Sequence, residues 1–106
     1  MEDIHTTNIK YLIELAGAIF ELATMEKDLQ KLEVLKKIAL EVTHLLDAEE
    51  VLHPELGFNL IEFTMFQIDI AKDSSVDYSK EQSKIYGADI KNMLKAASDS
   101  LSSRTG

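Results

Sequence analysis

Glu41-Val42-Thr43-His44 sets a carboxylate and an imidazole three residues apart. On a helix that spacing puts both groups on adjoining turns, the half-motif that helical di-iron bundles use twice, with two further inward glutamates. The elements around it argue against that chemistry here. Val42 and Leu45 are expected to set the buried face of their helix, which turns His44 nearly opposite it, so a solvated imidazole is preferred to a metal ligand. An exposed His44 also raises phosphotransfer. Its neighbours Leu45, Leu46 and Asp47 lack the small residues and the nearby lysine that would hold a phosphoryl group. His53 precedes the single proline, where an imidazole can favour the terminal helix carbonyls. Glu49 and Glu50 are adjacent and do not share a helix face, so they make a poor acid–base pair. No phosphate-cradling glycine loop, Gly-x-Ser-x-Gly, His-Glu-x-x-His or calcium-loop spacing occurs. A small-ligand or metal-binding bundle would need a pocket lined by Tyr11, Glu14, His44 or Tyr86, and remains the alternative of a different class. The expectation is a non-enzymatic protein with no cofactor.

Composition narrows the setting. The 106 residues hold 45% hydrophobic residues, enough for one domain with one modest core. One proline and four glycines favour long helices over a strand-and-turn fold. The absence of cysteine removes disulfides, thiolate metal sites and cysteine nucleophiles. The acidic start, Met1-Glu2-Asp3, lacks the basic region and apolar run of a secretory signal. The longest apolar run, Leu15–Phe20, is too short to span a bilayer. A cytoplasmic protein with no membrane association is expected. The net charge is −8, and Arg104 is the single arginine, which argues against direct nucleic-acid binding. From Ile38 to Ala71 there is no lysine or arginine. Glu41, Asp47, Glu49, Glu50 and Glu55 fall in that stretch and form a candidate acidic surface. Solvated acid is the preferred reading; a surface that docks on a basic partner, as a nucleic-acid mimic would, is the sharper one.

Four helices organise the chain, with a loose lead-in before the first. The first spans about 7–25, capped by Thr6, Thr7 or Asn8. Ile9, Leu12, Ile13, Ala16, Ile19, Phe20 and Ala23 share one face, and Tyr11, Leu15, Ala18 and Leu22 form a second apolar stripe beside it. The second spans about 29–52 from an Asp28 cap, with Leu32, Leu35, Ile38, Ala39, Val42, Leu45, Leu46 and Leu52 on one stripe and a Glu33–Lys37 pair as support. His53-Pro54-Glu55-Leu56-Gly57 ends it, with Gly57 free to take a positive φ. Asn59 and Glu62 predict a capping box, and Phe58 with Phe63 a hydrophobic staple, for a third helix over about 60–72. That helix has two opposed apolar stripes: Ile61, Met65 and Ile68 on one side, Phe63, Phe66 and Ile70 on the other. A strand is the weaker alternative, because its alternation slips at Phe66 and no partner strand is evident. Ser79 with Gln82 predicts the start of a fourth helix over about 80–98, followed by a disordered tail over 99–106. Gly17 and Gly87 interrupt predicted helices, where close approach of a neighbour is the usual reason.

The expected fold is therefore all-α: a single domain, a small four-helix bundle of two helical hairpins, with helices one and three the more buried pair. Their apolar surface exceeds what one small core requires, so a homodimer is expected, with Phe63, Phe66 and Ile70 and Tyr11, Leu15 and Leu22 as interface residues. The expected role is a regulator, inhibitor or immunity-type factor that binds another protein with a basic or amphipathic surface.

Overall fold

The chain's computed structural model describes residues 4–48 and 54–105. Within them, α1 (Ile4–Met25), α2 (Leu29–Asp47), α3 (Leu56–Lys72) and α4 (Asp77–Thr105) pack into a small all-α bundle with no strand among the described residues. The Phe58–Ile70 stretch is thus helical, because a helix pairs its backbone groups within itself and a lone strand cannot. α1 and α3 touch each other and both α2 and α4, whereas α2 and α4 do not meet. Helices one and three are central, as their apolar content predicts. No helix among the described residues is long and apolar enough to cross a membrane.

Each boundary has a local cause. Asp28 caps α2 by accepting from the Lys31 N–H at 3.1 Å. Glu26 fixes the turn before it, its side chain accepting from the N–H groups of Lys27 and Asp28, so α1 and α2 are separate helices. α2 closes at Asp47, where the Ala48 N–H donates to the Leu46 carbonyl oxygen. The rest of the expected extension to 52, with Glu49 and Glu50, lies outside the described residues. Glu33 contacts Lys36 at 3.6 Å, not the expected Lys37.

α3 begins at Leu56, four residues before the expected start, and its first residue follows Glu55 without a side-chain cap. The Asn59–Glu62 capping box does not form. Asn59 lies inside the first turns, its N–H bonded to the Glu55 carbonyl oxygen at 2.8 Å and its side-chain amide directed at Met93 Sδ, 3.7 Å away. Burial explains the shift: Leu56 and Leu60 are both fully enclosed, and helical geometry from Leu56 places them one turn apart in the core. The staple fails for the same reason, since Phe58 points to solvent while Phe63 points inward.

α4 begins at Asp77, whose carboxylate suits the first turn. Ser79 is buried within the helix, so the Ser79–Gln82 box does not form. Before it, Asp73 accepts from the Ser75 hydroxyl at 2.6 Å and the Ser75 N–H at 3.0 Å, which hold its carboxyl below the usual carboxylate range. The expected tail is helical to Thr105. Leu101 continues the stripe of Ile90 and Ala97 and is buried, so the last turns are held by packing.

Gly57 does not adopt a positive φ; it lies in the first turn of α3. Its role is close approach. A Cβ there would stand 2.5 Å from Thr43 Cγ2 on α2. Gly17 is different, because a Cβ would meet Leu94 Cδ1 at an ordinary 3.8 Å. Gly17→Ala is therefore expected to stabilise the fold by about 0.5–1 kcal/mol. Gly57→Ala should destabilise it by about 1–3 kcal/mol, overpacking outweighing the gain in helix propensity. Urea unfolding of the two variants checks both signs.

Candidate functional site

Among the described residues, Glu41 and His44 stand one turn apart on α2 and no further candidate joins them. Glu41 and His44 are both exposed on α2. Among the described residues no group of three or more His, Cys, Asp or Glu is placed to hold a metal. The Glu-x-x-His spacing recurs at Glu2–His5 and Glu50–His53, copies the sequence reading passed over. Glu2, Glu50 and His53 lie outside the described residues. The ligand-pocket set is also dispersed. Tyr86 stacks on Phe66 with ring centroids 5.6 Å apart. Glu14 borders a hollow between α1 and the end of α4 with Ile13 and Leu101. Tyr11 borders another, between α1 and α2.

The expected interface residues divide by helix. Phe63 is only 3% exposed and its ring lies 4.8 Å from that of Phe20 on α1. It belongs to the protomer core, which corrects its assignment to a seam. Phe66 is half-buried between Tyr86 and Tyr78, the latter in an edge-on contact at 6.1 Å. Ile70 is half-buried beside Thr24 and Gln67. The second stripe of α3 is thus taken up inside the protomer, because α3 is central and neighbours cover it on three sides.

The stripe on α1 has no such cover among the described residues. Tyr11 is 65% exposed and Leu22 51%, and Leu15, Ala18 and Met25 are exposed with them. These residues follow one another at intervals of four, three, four and three, which keeps them on one line of the helix. α2 carries a matching line that the sequence reading missed. Val34, Ile38 and Leu45 are exposed, although Ile38 and Leu45 were assigned to the buried stripe. The core takes Leu32, Ala39, Val42 and Leu46 instead, so Ile38 and Leu45 sit beyond the edge of the buried arc. The signal was legible as the interval Val34–Ile38–Glu41–Leu45–Ala48, again four and three.

The two lines lie on one face. α1 and α2 are antiparallel neighbours joined by the short 26–28 turn. Tyr11, Leu12 and Leu15 of α1 and Leu45 and Ala48 of α2 border one open hollow of about 370 Å³. Exposed charges edge this face on its two long sides. Glu14 and Glu21, seven apart, flank the α1 line; Lys37 and His44, also seven apart, flank the α2 line. Glu41 is the charged member of the α2 line itself. Asp47 and Glu55 are exposed at the far end of α2 and the start of α3.

A polar linkage fixes α1 in this position. The Gln67 side-chain amide donates to the Ala23 carbonyl oxygen at 3.0 Å, and its Oε1 accepts from the Ser83 hydroxyl at 2.7 Å. Ala23 lies in the last turn of α1, where carbonyls lack helical partners. The Lys27 N–H that could have reached it is bonded to Glu26 instead. Gln67 thereby ties the end of α1 to α3 and α4.

Comparison with known proteins finds no matching family model, no similar curated protein and no similar solved structure. The functional reading rests on the geometry of this chain alone.

Gln67→Leu keeps the volume but strands the Ala23 carbonyl and the Ser83 hydroxyl. A loss of about 1–3 kcal/mol is expected, measured as a lower denaturation midpoint at unchanged slope.

Proposed function

We propose that this chain is a non-enzymatic protein-interaction module, a small regulator or inhibitor that acts by docking the outer face of α1 and α2 on another protein chain. One observation carries the reading: seven large apolar side chains, Tyr11, Leu15, Leu22 and Met25 with Val34, Ile38 and Leu45, are exposed along two adjacent helices. Each of the seven is 40–70% exposed, an apolar surface of the kind that marks an interaction site. Scattered surface leucines need no explanation, but contiguous ones oppose solubility unless something covers them. The separation of the Glu41–His44 pair from Glu14 and Tyr86 supports an interaction role over a catalytic or ligand-binding one. The acidic residues support docking on a basic surface less well, since Asp47 and Glu55 stand apart from the apolar face.

Leu22→Glu combined with Leu45→Glu should leave the circular dichroism spectrum of the protein unchanged, because both positions are exposed. The same variant should lose every partner captured by the parent chain from cells that express it. Capture by the parent should persist when salt is raised, as apolar docking is not screened. Capture that survives the two substitutions, or that disappears with salt alone, would move the working surface to the acidic residues.

A further inference from the structure

We infer that the chain covering this face is a second copy of the protein, docked about a two-fold axis parallel to the helices so that each α1 lies on the other copy's α2. The inference rests on the reading that the α1–α2 face is the association surface, and it names the occupant and the arrangement.

The spacing identifies the kind of occupant. A repeat of four and three averages 3.5 residues, the period at which a helix keeps one line of side chains against another helix. A groove for an extended peptide or a small ligand requires no such period. Here two antiparallel helices present that period side by side. Together they form one half of an antiparallel four-helix layer whose other half must carry the same spacing. The chain's own α3 and α4 do not supply it, because these side chains stay exposed with α3 packed on both helices and α4 packed on α1. A second α1–α2 pair supplies it directly.

The charged edges choose between the two-fold arrangements. An axis across the helices would stack α1 on α1 and bring the Glu14 and Glu21 edges of both copies together. An axis along the helices stacks α1 on α2 and sets each Glu14–Glu21 edge beside the other copy's Lys37–His44 edge. Heights agree as well. Glu21 stands four residues before the end of α1 and Lys37 eight after the start of α2, so the two are within about one helical turn. Glu14 and His44 match in the same way. Opposite charges at the rim fix the register of a seam whose energy is apolar. Glu41 is the one carboxylate on the seam itself, and it opposes association.

The 106-residue chain should sediment as a dimer at tens of micromolar, and Leu22→Glu as a monomer with an unchanged circular dichroism spectrum. Glu21→Lys and Lys37→Glu, each alone, should weaken the dimer about tenfold at low salt, and the two together should restore it. Glu41→Leu should tighten it. A monomeric parent chain, or a dimer untouched by Leu22→Glu, overturns the inference. Tightening by Glu21→Lys alone overturns the α1-on-α2 arrangement, because that result belongs to α1 stacked on α1. Should the parent be monomeric while Leu22→Glu with Leu45→Glu still abolishes capture of another protein, the second-copy inference fails and the interaction reading survives. Loss of neither dimerisation nor capture in that variant removes both.

Discussion

The contact between Phe20 and Phe63 is the constraint on which the arrangement of the helices depends. It joins the two central helices ring against ring, with centroids 4.8 Å apart and planes inclined at 51°, a geometry in which aromatic pairs gain beyond their buried area. Both side chains are buried. Gly87 on α4 lies directly against both rings, so that a Cβ there would stand 3.4 Å from Phe63 and 3.6 Å from Phe20. α4 can approach this pair closely because it presents no side chain at that point. Once α1 and α3 are joined here, the faces of α3 are committed to α1, α2 and α4. α1 keeps on its outer side an apolar line that nothing among the described residues covers.

Small polar groups let the helices come this close. Thr64, fully buried, returns its hydroxyl to the Leu60 carbonyl oxygen at 2.8 Å. Thr43 does the same to Ala39 at 2.6 Å, and its methyl faces Gly57 of α3. Satisfied within their own helices, these hydroxyls enter the interior without the penalty of an unpaired donor. Gln67 and Asn59 reach across instead, Gln67 at a helix end with an orphan carbonyl and Asn59 to Met93 Sδ. The interior is largely apolar, and its buried Asn59 and Ser83 pair with other side chains. No acid–base or metal constellation is assembled in it among the described residues. The surface, by contrast, brings apolar lines and ordered charges together on the α1–α2 face.

Helix identity, the Asp28 cap, the central placement of α1 and α3 and the second apolar stripe of α1 were legible in the residues, because each depends on local capping or on a 3.6-residue period. Helix starts at Leu56 and Asp77 were not. Asn59 and Ser79 offer local caps, yet burial of Leu56 and of Ser79 carries both helices past them. The helical course of 99–105 was hidden for a similar reason: polar residues surround Leu101, and only its place in the core holds the last turns.

The sequence by itself determined that this is an all-α chain with more apolar surface than one small core consumes, since periodicity and composition suffice for that. Tertiary structure alone decided where the excess lies. Two opposed stripes on α3 look like a core face and a seam until α1, α2 and α4 cover it from three sides and take Phe63, Phe66 and Ile70 inward. The apolar lines left in solvent are those of Tyr11, Leu15 and Leu22 on α1 and of Val34, Ile38 and Leu45 on α2. A helical wheel reports how apolar each direction is; which direction meets another helix depends on contacts between residues far apart in the chain.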